Sequence, residues 1–74
     1  MKLKLKEKEP MYRAGTFGIS ELIWFEAGEI FEVVETKVMK HDNKEWFKIK
    51  SKWFTNPMEG FHNPDSFEIL DETP

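Results

Sequence analysis

Polar and apolar residues alternate along most of the chain, and no stretch repeats apolar residues at the i, i+3, i+4, i+7 spacing of an amphipathic helix. An extended chain points successive side chains to opposite faces, so this alternation predicts half-buried strands. Lys2-Leu3-Lys4-Leu5-Lys6 opens the chain as one such strand, an additional N-terminal element within residues 1–9 whose lysines line a solvated or edge face. Pro10 has no N–H to give a ladder and interrupts pairing. Tyr12 to Ser20, with Gly15, Thr16, Gly18 and Ser20, reads as a long irregular loop, and Glu21 to Phe25 returns to extended structure. Ala27-Gly28 supplies a turn, because glycine takes a positive φ at little steric cost.

Glu29 to Thr36 carries the strongest strand signal, being rich in β-branched and aromatic residues and bounded by turn chemistry. Unbroken alternation would put Phe31, Val33 and Glu35 on one face and Ile30, Glu32 and Val34 on the other. After a polar loop at His41-Asp42-Asn43, Glu45 to Ser51 alternates again, with Phe47 and Ile49 inward and Trp46, Lys48 and Lys50 outward. Asn56-Pro57 marks a turn, Gly60-Phe61 a short strand and Asn63 to Ser66 a tight or 3₁₀ turn. Phe67 to Leu70 closes the fold, and Asp71 to Pro74 is expected to fray. The pattern predicts a single all-β domain of about five or six short antiparallel strands. Its expected core is Phe25, Phe31, Val33, Phe47, Ile49, Phe61, Ile69 and Leu70.

Composition narrows the class. With 74 residues and no cysteine, neither a disulfide nor a thiolate zinc site can staple the fold, so packing alone must hold it. Apolar runs such as Leu22 to Phe25 are too short for a membrane helix, and Glu7, Glu9 and Pro10 follow the early lysines where a signal peptide would need apolar residues. A cytoplasmic protein is expected. The net charge of −3 conceals a segregation: Lys37 to Lys52 holds six lysines, and Glu21 to Glu35 holds five glutamates and no base. Antiparallel pairing of those two segments would set lysines opposite glutamates.

Three stretches in register carry a family resemblance. Glu21-Leu22 with Phe25 to Glu35, then Trp46 to Ser51, then Gly60-Phe61 with Pro64 to Leu70, resemble an SH3 domain over about residues 12–70. Tyr12-Arg13-Ala14-Gly15 also resembles the early segment of the bacterial SH3 family. The resemblance implies an SH3-like small barrel. It further implies a partner-binding surface in which Tyr12 stands for a first aromatic wall, Trp46 for the groove tryptophan, Pro64 for the proline and Phe67 for the late tyrosine. Glu21 would face a basic side chain of the ligand. Ala14 stands where a second aromatic wall is expected and Phe67 has no hydroxyl, so the polyproline groove is incomplete.

These observations lead to a non-enzymatic module that binds a protein or peptide through an exposed aromatic patch of Trp46, Pro64 and Phe67, with Tyr12 at its edge and Glu21 supplying charge. Trp24, beside Phe25, is a second candidate for an exposed tryptophan. The alternative is a nucleic-acid face, since Lys44, Trp46, Lys48, Lys50, Lys52 and Trp53 set bases and aromatics along one strand. A small phage or prophage factor that blocks a host protein also fits the size. His41 and His62 lack metal-ligand spacing, no phosphate loop or nucleophile motif occurs, and no metal, cofactor or catalytic residue is expected.

Overall fold

The computed structural model describes residues 1–70, so the expected fraying of Asp71 to Pro74 lies outside the described residues. Six strands form: β1 (Lys2–Leu5), β2 (Glu9–Ala14), β3 (Ser20–Phe25), β4 (Ile30–Val38), β5 (Glu45–Ser51) and β6 (Phe67–Leu70). Short 3₁₀ turns occupy Thr16–Gly18 and Pro64–Ser66. The fold is all-β, with a four-stranded antiparallel sheet in the order β5-β4-β1-β6 and a two-stranded hairpin β2-β3.

The first strand is central rather than added on. β1 lies between β4 and β6, with Leu3 opposite both Phe31 and Ile69, and Leu3 and Leu5 are fully buried. Its lysines take the exposed face, as the alternation predicts. Pairing on both edges makes these two leucines core residues, which the expected core omitted.

The expected loop from Tyr12 to Ser20 narrows to residues 15–19, since Tyr12 to Ala14 and Ser20 belong to the paired strands, and Pro10 sits inside β2 opposite Trp24. The hydrogen-bond pattern explains the tolerance. The Tyr12 carbonyl accepts from the Glu59 N–H at 2.8 Å, away from β3, whereas the Gly15 N–H donates to the Ile19 carbonyl at 2.7 Å. Antiparallel residues alternate between bonding their partner and turning away, so β2 bonds β3 through its odd-numbered residues. The missing N–H of Pro10 therefore removes no ladder bond. Gly15 is required sterically, because a Cβ there would stand 2.5 Å from the Ile19 carbonyl oxygen.

β4 pairs antiparallel with β5, as expected, but a bulge between Val33 and Glu35 changes which residues face which. Before it, Glu32 opposes Lys50 and Val33 opposes Ile49. Beyond it, Glu35 opposes Lys48 and Thr36 opposes Phe47. Glu35 therefore leaves the inward face assigned to it by unbroken alternation. Setting Val34 aside as the extra residue is what brings Glu35 opposite Lys48 and keeps Phe47 inward.

The core comprises Leu3, Leu5, Met11, Phe25, Phe31, Phe47, Ile49, Met58 and Phe67, with Ile23, Val33 and Phe54 packed against it. Phe31 lies at its centre, meeting Phe25 edge-on at 5.0 Å and Phe67 at 5.9 Å between ring centroids. Three expected core residues are displaced. Ile69 is 56 % exposed because β6 is the outermost strand and only β1 flanks it. Leu70, at the end of that strand, and Phe61, under the Lys37 ammonium at 5.9 Å, are half-buried.

In place of the expected Gly60-Phe61 strand, two single bridges tie the chain together: Arg13 with Met58 and Phe47 with His62. The Met58 N–H donates to the Ile49 carbonyl at 2.9 Å, so residues 58–62 join the hairpin to β5. The 3₁₀ turn is capped as its sequence suggests, Asn63 accepting from the Asp65 N–H at 2.9 Å with Pro64 in the first turn.

Phe31→Ala should destabilise the protein by about 3–5 kcal/mol, since it empties the centre shared by both sheets. Chemical denaturation measures this, and a loss under about 1 kcal/mol would show that the ring stack is not central.

Candidate functional site

The residues singled out by sequence fall in three places. Trp46 opens β5 and turns away from Phe47 and Ile49 as predicted, but it is only half-exposed. Its indole N–H donates to the Asp42 carboxylate at 2.8 Å, and the His41 ring meets it edge-on at 5.2 Å. Asp42 also accepts from the Lys44 backbone N–H at 3.0 Å, and Asn43 takes a left-handed conformation with φ of 56°, so the polar loop folds back onto the indole. Burial raises the Asp42 carboxyl pKa. The two hydrogen bonds and the charges of His41 and Lys44 outweigh this and leave it below the ordinary value.

Pro64 lies half-buried in the second 3₁₀ turn, and an ion pair draws that turn toward the Trp46 loop: Lys44 Nζ meets the Asp65 carboxylate at 2.8 Å. The bond to Asp65 holds the Lys44 pKa above its ordinary value. Phe67 does not join them at the surface. It is 3 % exposed, because it stands opposite the inward-facing Leu5 and packs on Phe31. The exposed aromatic patch expected from Trp46, Pro64 and Phe67 thus loses its third member to the core.

Tyr12 and Glu21 belong to the hairpin. Tyr12 is 54 % exposed, whereas Glu21 is bonded to the Arg13 guanidinium, which lies 4.4 Å over the Phe54 ring. The acid assigned to a ligand's basic group therefore already has a basic partner within the chain.

The lysine- and tryptophan-bearing strand is less basic than its sequence. Lys44 is paired with Asp65, Lys48 and Lys50 are half-buried opposite Glu35 and Glu32, and Lys52 lies over the Trp53 ring at 4.7 Å. The Trp53 indole N–H donates to Glu29 at 2.7 Å. Trp46 lies near the start of β5 and Trp53 in the turn that follows its end at Ser51. A cleft of about 310 Å³ lies at the Ser51 end of β5, lined by Lys2, Glu32, Lys50 and Lys52 over Ile30 and Phe31. The register sets Glu32 between Lys2 and Lys50, so its charges alternate.

The surface that the sequence reading missed is the outward face of the hairpin. Met11 and Phe25 are buried and Ile23 is half-buried beneath it. Pro10 opposes Trp24 and Tyr12 opposes Leu22, and all four are exposed. Trp24 is 58 % exposed, with the Lys8 ammonium 5.8 Å from its ring. At the hairpin tip, Phe17 has a φ of 60° and is 96 % exposed. The signal was present as two short runs without a charged residue, Pro10-Met11-Tyr12 and Leu22-Ile23-Trp24-Phe25, which put apolar side chains on both faces of the hairpin. The glycines between them pointed to an irregular loop.

No cluster of three or more metal-ligating side chains occurs among the described residues, and none of their helices is long and apolar enough to cross a membrane. No family model, curated protein or solved structure matches the chain.

His62 is a half-buried titratable group. Its Nε2 is buried with no hydrogen-bond partner among the described residues. Burial pushes its pKa below the ordinary 6.5, and a bond to the Glu59 backbone offsets only part of this. The unfolded chain therefore binds a proton more readily. His62 contributes stability that is complete above about pH 6.5 and is lost as pH falls through the folded value. Thermal midpoints measured between pH 7.5 and 5 should fall, and His62→Gln should flatten that fall. An equally steep profile in the variant would assign the dependence to other groups.

Proposed function

We propose that the chain is a non-enzymatic, SH3-like binding module that takes a protein partner on the outward face of hairpin β2–β3. The observation that carries this reading is the contiguity of Pro10, Tyr12, Leu22 and Trp24, which lie opposite one another in two pairs and all remain in water. The two rings alone leave roughly 200 Å² exposed. With Leu22 and Pro10 the patch reaches the scale of a few hundred Å² at which apolar surface marks an interaction site. Tyrosine and tryptophan also suit such a role, since each presents a large rigid surface with a polar tip.

The SH3-like architecture is supported by the strand order. A first strand lies between the third-from-last and last strands of the sheet, an early hairpin follows it, and a 3₁₀ turn precedes the closing strand at the position the resemblance gives Pro64. The partner surface moves from the groove which that resemblance implies, because Phe67 is buried and the Trp46 indole is bonded to Asp42. Tyr12 alone belongs to both. A nucleic-acid reading is weaker: Lys44, Lys48 and Lys50 face carboxylates and the net charge is −3.

The test is a pull-down with the full chain, identification of the retained protein by mass spectrometry, and affinity measurement with variants. Trp24→Ser and Tyr12→Ser should each weaken binding about thirtyfold, equivalent to about 2 kcal/mol, with thermal midpoints nearly unchanged. Trp46→Ala should keep full affinity. If Trp46→Ala abolishes binding while both hairpin variants retain it, the partner sits at the loop of residues 39–44 and this assignment fails.

A further inference from the structure

The same hairpin has a second exposed feature at right angles to its face. β2 bonds β3 through Met11 with Ile23 and Arg13 with Glu21, so Ser20, Leu22 and Trp24 turn their backbone N–H and C=O groups away from β2. No backbone bond to these groups occurs among the described residues. β2's other edge is covered by Met58 and Glu59, and β5's by the Met58 N–H on the Ile49 carbonyl and by the bridge between Phe47 and His62.

Open edges invite pairing with another chain, and proteins usually block them with lysine, proline, a bulge or an unpaired charge. β3 has none of these devices. Its sequence is Ser-Glu-Leu-Ile-Trp-Phe, its register with β2 is continuous, and its one charged side chain, Glu21, is engaged by Arg13.

We propose that β3 pairs antiparallel with β3 of a second copy of this chain, Leu22 opposite Leu22 on the two-fold axis. This register uses all the outward-facing groups, since Ser20 and Trp24 of one copy meet Trp24 and Ser20 of the other. Each opposed pair exchanges two bonds, about six in all. On the other face Glu21 opposes Ile23, so no like charges stand directly opposite, and each Glu21 keeps its Arg13. The strand thus complements itself, as an isologous contact requires.

The result is a four-stranded sheet, β2-β3-β3-β2, in which the two outward faces of Tyr12 and Leu22 become continuous. The contact of two six-residue strands is small beside the roughly 800 Å² per partner of a stable interface. The dimer is accordingly weak and concentration-dependent. It goes beyond the partner-binding reading and does not depend on it, because the pairing uses the edge of the hairpin and the partner its face.

Sedimentation of the full chain over a concentration series should show a reversible monomer–dimer equilibrium in the micromolar to submillimolar range. Leu22→Lys and Leu22→Glu each put two like charges on the axis and should each be monomeric, at least tenfold weaker than the parent, with unchanged circular dichroism. Mixing the two should restore a heterodimer, which happens only if position 22 stands opposite itself. A full-length synthetic chain with N-methylated Leu22 keeps the side chain but lacks the outward N–H, and it should also be monomeric. Tyr12→Ser should dimerise like the parent while binding the partner about thirtyfold more weakly, which separates the two readings. A parent that is monomeric up to millimolar concentration, a mixture that fails to associate, or an N-methyl chain that still dimerises would overturn the proposal.

Discussion

Both sheets depend on the packing around Phe31. Its ring is met edge-on by Phe25 from the hairpin and by Phe67 from the closing strand, and its backbone lies opposite Leu3 on the central strand. Four strands therefore meet at one side chain. A chain of this length without cysteine has only a few kcal/mol of net stability to distribute. Edge-to-face ring pairs add about 0.5–1.5 kcal/mol beyond the area they bury, which makes an aromatic centre an efficient solution. Phe54 extends the stack to the hairpin side, meeting Phe25 at 6.3 Å, and Arg13 closes over it. One consequence is the loss of Phe67 from the surface, for a ring needed at this centre cannot also line a groove.

What could be read from the sequence follows from how far each signal is local. Alternation alone places β1, β4 and β5 and the inward positions Phe31, Phe47 and Ile49, because side-chain direction in a strand is a property of neighbouring residues. The turns at Gly28 and Pro64 are equally local, resting on a positive φ and on a capped first turn. The central position of β1 was not legible, since a strand flanked on both edges and one flanked on a single edge have the same alternation. The bulge at Val34 was likewise hidden, and it reverses the face of every later residue in β4. Pro10 misled for a related reason: it forbids a donor on one side of a strand only, and nothing local says which side the neighbour takes.

The charge segregation illustrates the same limit. Six lysines between Lys37 and Lys52 read as a basic stripe, yet pairing sets Lys48 and Lys50 against glutamates of β4 and ties Lys44 to Asp65. Cross-strand pairs of this kind contribute about 0.2–1 kcal/mol each. Their larger effect is on register: the bulge that brings Glu35 opposite Lys48 also keeps Thr36 opposite Phe47 and Phe47 in the core. The acidic strand is thus the complement of the basic one, and the face they share presents mixed charge to any polyanion.

The hairpin obeys a different logic from the sheet. On the sheet, the outward positions of β1 are exposed lysines and those of β5 include the half-buried Lys48 and Lys50, so folding alone accounts for the inward apolar residues and outward charges of these strands. On the hairpin, Met11 and Phe25 already supply the buried contacts, with Ile23 and Arg13 over Phe54 beside them. Pro10, Tyr12, Leu22 and Trp24 add apolar surface that the core does not use, and threonine or lysine at those positions would satisfy the strand equally well. Lone apolar residues on a surface need no explanation. Four in register on one face, beside an edge without blocking residues, form one contiguous apolar patch, whereas Ile30, Val34, Val38, Trp53 and Ile69 expose apolar surface elsewhere on the molecule. Packing within this chain gives no reason for that contiguity, and the proposed contact with another polypeptide would use it.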